Sequence, residues 1–135
     1  MSSNIATIRA ALETYLAATS GIPTLVFDNV DFDPSALTPF IRVKFVPTTR
    51  RPIDIGPNPL SRVDGIYILT ICQPKNVGDG PGLTVADTLS NRFPPHSIIP
   101  YGSIFVEIDY SEVGMSYPDD LYHCTPVTIG WFAHN

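Results

Sequence analysis

The sequence predicts an α+β fold, with two helices packed on a mostly antiparallel sheet in the order α-β-β-β-α-β-β. Three observations carry that reading. Two segments place apolar residues at helical spacing, and several others alternate apolar and polar residues with the period of a strand. Alternation with one wet face is the mark of antiparallel sheets. At 135 residues the chain has the length of one domain, so residues 1–135 are expected to form a single body.

The first element runs from Ser3 to Ala18. Ile5, Ile8, Leu12, Tyr15 and Leu16 recur on one helical stripe, and alanine fills much of the rest. Ser2 or Ser3 can cap its start, while Gly21 and Pro23 mark its end. Thr24 to Phe27 reads as a short strand, closed by the acidic turn from Asp28 to Pro34. From Phe40 to Val46, Ile41, Val43 and Phe45 point one way and Arg42 and Lys44 the other.

Pro47 to Ser61 is anomalous. It holds four prolines and a glycine, so it is not expected to join a regular ladder. Yet Ile53, Ile55 and Leu60 supply apolar anchors that a merely solvated loop does not need. The segment reads as a projecting loop over 47–61, or as a long hairpin whose strands reach about Thr49 and restart near Arg62.

Arg62 to Gln73 follows as a long strand rich in β-branched and aromatic residues. Its centre is apolar on both sides, which predicts a central position covered on two faces. A second helix opens at Gly82 or Thr84, with Leu83, Ala86, Leu89 and Phe93 on one face, and Pro94-Pro95 stops it. Ser103 to Val113 alternates, setting Ile104, Val106, Ile108 and Tyr110 against Phe105, Glu107, Asp109 and Ser111. Leu121 to Ala133 is the last strand, and Pro126 predicts that its first half is edge or bulged.

Composition narrows the function classes. Charged residues make up only 16% of the chain, and 8 Lys+Arg against 13 Asp+Glu give a net charge of −5. An acidic chain is poorly suited to gripping a phosphate backbone. No apolar run approaches the ~20 residues that span a bilayer, and Met1-Ser-Ser-Asn lacks the features of a signal peptide. No membrane partner is therefore expected. Cys72 and Cys124 both fall inside strand-like runs and read as buried thiols of a reducing compartment.

No constellation makes a positive case for an enzyme. Gly78-Asp-Gly-Pro-Gly82 precedes a helix but matches no phosphate-loop spacing, and Asp79 would repel phosphate. His96, His123, His134 and the two cysteines include no C-x-x-C or H-x-x-x-H pair. No G-x-S-x-G elbow is present. Glu107 and Asp109 share a strand face by alternation, and Asp119-Asp120 are adjacent; both pairs read as solvated carboxylates. No cofactor is expected.

The helix I-A-T-I-R-A-A-L-E, the stretch Val85 to Ser97, the strand Ser103 to Ile108 and the closing Tyr122-His-Cys-Thr-Pro-Val-Thr-Ile-Gly-Trp-Phe together resemble the tail terminator proteins of long-tailed bacteriophages. His96 stands where a glycine is common in that family, and its turn is expected to avoid a positive φ. The resemblance implies a subunit of a hexameric ring that caps the tail tube, stops its polymerisation and offers a surface for head joining. Its partners would be copies of itself, the tail tube protein and a head-completion or connector protein. DNA would cross the lumen without specific binding. The protein would belong to the virion tail, assembled in the host cytoplasm, with no catalytic residue. The alternatives are another tail-tube or neck component, or a small hydrolase or ligand-binding α+β domain.

A ring needs a heterologous interface, in which one patch meets a different patch on the neighbour. Arg50, Arg51, Ile53 and Ile55 on the proline-stiffened arm are the candidates for one side. The acidic cluster Asp28, Asp31 and Asp33 is the candidate for the other.

Overall fold

The computed structural model describes residues 5–27, 39–52, 61–75, 80–102, 104–119 and 121–134. Helix α1 (Ile5–Ala17) precedes strands β1 (Thr24–Phe27), β2 (Phe40–Pro52) and β3 (Ser61–Pro74). Helix α2 (Gly80–Arg92) then leads to β4 (Ile98–Tyr101), β5 (Ile104–Val113), β6 (Tyr117–Asp119) and β7 (Tyr122–His134). One sheet holds all seven strands in the order β1-β2-β3-β7-β5-β4, with β6 paired to β7 beyond the end of β5. Only β1 and β2 run parallel, so the sheet is mixed but mostly antiparallel.

Period-two alternation divides the sheet into two faces. On the inner face Ile41 and Val43 of β2, Val63, Tyr67, Leu69 and Ile71 of β3, and Val127, Ile129, Trp131 and Ala133 of β7 are all buried. Both helices cover this face. Helix α1 contributes Ile8, Ala11, Leu12 and Leu16, and α2 contributes Ala86, Leu89 and Phe93. Each fully buried aliphatic side chain stabilises the fold by roughly 1.5–3 kcal/mol relative to exposure, so this layer dominates the energetics.

The bulkiest part of the layer is built around an absence of side chain. Gly65 pairs with Trp131 across β3 and β7, and the indole lies over the glycine where a Cβ would sit. From there it stacks on Phe45, ring centroids 5.3 Å apart and 7° from parallel. Arg92 joins the two helices at their C-terminal ends. Its guanidinium lies 3.8 Å from the centre of the Tyr15 ring and donates to the Tyr15 carbonyl at 3.1 Å. The Tyr15 hydroxyl donates back to the Arg92 carbonyl at 3.0 Å. A cation at a helix C-terminus also meets the negative end of the helix dipole.

Several expectations need correction. The sheet has two strands more than the alternation shows, β4 and β6. They are four and three residues long and each contains proline, so only their pairing with β5 and β7 makes them strands. Helix α2 begins at Gly80, earlier than expected, because Pro81 suits the first helical turn, where its missing N–H costs nothing.

The described start of the proline-rich stretch, Pro47 to Pro52, joins the ladder, which agrees with the hairpin reading and carries its strands further than Thr49 and Arg62. β2 continues to Pro52 and pairs with β3 as far as Ser61. Beyond Val43 the other side of β2 has no paired strand among the described residues, so edge prolines are tolerated there. Pro47 coincides with a register shift in the ladder. Residues 53–60 lie outside the described residues.

Pro126 sits inside the sheet rather than at an edge, flanked by β3 and by the β5–β6 connection. Its carbonyl accepts from Gly114 N at 2.8 Å. In a strand a residue's N and C=O point to the same side, so the missing N–H faces the gap between β5 and β6 and no bond to β3 is lost. β3 is central, as expected, but only its inner face lies under the helices. Ile66 and Ile68 on the outer face are half-buried.

The alternation of β5 also fails at its middle. A register shift between Ile108 and Tyr110 makes Asp109 an extra residue and turns Tyr110 outward over Gly130. Finally, His96 does adopt a left-handed backbone, with φ of 69°. Its N–H donates to the Ile108 carbonyl at 2.7 Å, and Ile108 N–H donates to the Ser97 carbonyl at 2.9 Å. Those bonds hold the turn against β5, and histidine tolerates this region better than most residues.

Candidate assembly surfaces

Among the described residues no helix covers the outer sheet face. Arg42, Lys44, Tyr110 and Glu112 are exposed there, while Val46, Ile66, Ile68, Thr128 and Phe132 are half-buried. Charge on this face is locally matched. Arg62 Nε bonds Asp64 Oδ1 at 2.6 Å and its guanidinium lies 3.9 Å from the centre of the Phe132 ring. Thr48, Arg62, Asp64, Asp109 and Tyr110 border an open concavity of about 280 Å³. The wide mouth leaves it continuous with the surface, unlike an enclosed ligand site.

Apart from Tyr110 in mid-strand, the large exposed apolar residues among those described collect at two separate ends. Ile98, Tyr101 and Phe105 stand where β4 meets the start of β5, and Phe105 is 62% exposed. Val113, Met115, Tyr117 and Leu121 follow the far end of β5, with Met115 88% exposed. Leu83, in the first turn of α2, is exposed at the same end, since the adjoining Gly82 packs near Thr125 and Gln73. β5 is 10 residues long, so the two ends stand about 30 Å apart. The paired ends of β2 and β3 lie at the first end, because Arg62 pairs with His134 where β7 finishes. Apolar groupings of this kind on a small chain mark contact sites for other proteins.

Of the residues expected at an interface, Arg50 is exposed on β2 and pairs with Val63. The backbone of Arg51 pairs with that of Arg62. Ile53, Ile55, Asp28, Asp31 and Asp33 lie outside the described residues. The alternation that would align Glu107 with Asp109 breaks at Asp109 itself. His123 and Cys124, adjacent on β7, point to opposite faces, and no group of three or more metal-ligating side chains occurs among the described residues. Gly78 and Asp79 of the Gly78–Gly82 turn lie outside them, while Gly80 to Gly82 open helix α2.

Sequence reasoning missed Ile98, Phe105, Met115 and Leu121. A signal existed for one of them. Phe105 occupies the polar phase of β5, beside Glu107, where a large aromatic has no reason to face water in an isolated chain.

Among the described residues the sheet thus has one face covered by helices, one face without them and exposed apolar residues at two ends. The family described as phage tail terminator protein matches residues 7–131, nearly the whole chain, and the chain belongs to it. It is accordingly a structural component of a phage tail. A solved protein structure shares its fold, with a TM-score of 0.74 at 22% identity, covering 98% of this chain and 96% of its own. None of the curated proteins matches it.

Proposed function

We propose that the protein closes into a hexameric ring on the tail tube, stops tube polymerisation and presents a surface for head joining. The observation that supports this reading is the pair of unlike apolar ends about 30 Å apart along β5. Two different patches on opposite ends suit head-to-tail contact, and head-to-tail contact closes into rings when the rotation allows. The ends of β2 and β3, with Arg50 and Arg51 on β2, lie at the same end of the sheet as Ile98 and Phe105, and we assign them to the same contact. The role asks nothing catalytic of the chain. DNA crosses the lumen without specific binding, because a subunit of net charge −5 repels the phosphate backbone.

Native mass spectrometry across concentrations, with and without tube subunits, tests the ring. Hexamers are expected, at least on the tube; a chain that stays monomeric under both conditions overturns the reading. Phe105→Asp and Leu121→Asp should each abolish rings while shifting the stability of the isolated chain by less than about 1 kcal/mol. Mixed together, the two variants should stop at dimers, since each retains one intact end. Arg50→Glu with Arg51→Glu should weaken assembly and leave the fold intact. Particles lacking the protein should carry overlong tails; missing tubes would instead indicate a tube subunit.

A further inference from the structure

Cys72 and Cys124 face each other across the two central strands β3 and β7. Their sulfurs are 2.8 Å apart, and both side chains are buried. The ladder geometry favours a covalent link. Pro126 turns its carbonyl away from β3 towards Gly114, which makes Thr70–Pro126 a non-hydrogen-bonded pair. Pairs alternate along an antiparallel ladder, and no register shift intervenes, so Cys72–Cys124 is of the same kind. Such pairs bring Cα atoms to about 4.5 Å, within the range a disulfide spans.

The pair also lies apart from the main core. Val26, Phe40, Cys72, Tyr122 and Cys124 form a small second cluster on the outer face. Within it Phe40 and Tyr122 pack edge to face, centroids 5.0 Å apart. Tyr122 begins β7 beside the three-residue strand β6, and short edge elements open at low cost. Burial pushes both thiols above the usual cysteine range, so they are protonated while the cluster is closed, and a thiolate forms when the start of β7 opens to water.

We propose that Cys72 and Cys124 are an oxidative modification site, which a peroxide converts into a single cross-strand disulfide. One thiolate attacks the peroxide O–O bond, forming a sulfenic acid and releasing hydroxide. The second thiolate attacks that sulfur, forms the S–S bond and expels the oxygen as water once protonated. Overall two thiols lose two electrons and two protons, and hydrogen peroxide becomes two waters. The link closes a loop across 52 sequence positions and fastens the strands that carry the sheet. It concerns one chain and does not depend on ring formation.

The folded full chain is treated with hydrogen peroxide, quenched, unfolded in guanidinium with an alkylating agent and weighed intact. The expected product has lost two hydrogens, takes up no alkyl group and returns to two alkylated thiols after reduction. Its Tm should rise by on the order of 10 °C over the reduced chain. Two alkylatable thiols after treatment, added oxygen on either cysteine, or disulfide-linked dimers would each overturn the proposal. In Cys72→Ala the remaining thiol should gain oxygen, and a loss of two hydrogens there would equally overturn it. The wild-type mass decides the matter even where that variant fails to fold.

Discussion

The two faces of the sheet are built from the same strands, one residue out of phase, yet they serve different ends. Along β3, Val63, Tyr67, Leu69 and Ile71 are buried under the helices, while Arg62, Asp64, Ile66, Ile68 and Thr70 between them are only half-buried. The inner face is closed by the chain's own helices and carries its stability. The outer face and the two ends of β5 keep apolar surface that nothing among the described residues covers. Substitutions can therefore be aimed at the packed layer or at the open surface separately.

Gly65→Ala should produce the largest effect. The new Cβ would enter the Trp131 ring and lie 2.8 Å from the Val46 carbonyl, so the stacked Trp131–Phe45 pair must move. A loss of about 3 kcal/mol is expected in urea unfolding. A loss below about 1 kcal/mol would mean that the inner layer is looser than its packing implies.

An intermediate effect concerns pH. Burial, aided by Glu13, raises the Tyr67 hydroxyl above its usual range, and it has no hydrogen-bond partner among the described residues. The folded chain thus keeps a proton that the unfolded chain releases above about pH 10. Stability present below that pH is lost as pH rises, by about 1.4 kcal/mol per unit from this group. Tyr67→Phe should remove that component and give a shallower alkaline decline in thermal melts. Equal slopes for both proteins would sink the assignment.

The smallest effect belongs to the open face. Lys44→Ala and Glu112→Ala should each change stability by no more than about 0.5 kcal/mol, because both side chains are exposed. A larger loss from either would break the contrast between the faces.

Both helices and five of the seven strands are legible in the sequence, because their apolar residues repeat with the period of the element that buries them. β4 and β6 are not. Ile98-Ile-Pro-Tyr101 and Tyr117-Pro-Asp119 are too short to show a period, and proline argues against them until a neighbour is known. Tyr110 and Asp109 were misphased for a similar reason, since a bulge shows only in register. His96 misleads because its strained φ is held by Ile108, a residue distant in sequence. The apolar ends escaped detection because exposure is a property of the fold. Ile98 and Val106 look alike in the sequence, but one faces water and the other the core.

Local sequence by itself determined the two amphipathic helices, the phase of most strands, the acidic balance and the resemblance to tail terminators. These depend on spacing along the chain, which is written one residue after another. Tertiary structure alone decided that Pro126 could lie inside the sheet, that Trp131 needs Gly65, that Cys72 meets Cys124, and that two apolar ends stand on opposite sides of the subunit. Each of these depends on which strand lies beside which, and that pairing is settled only when the whole sheet closes under its helices.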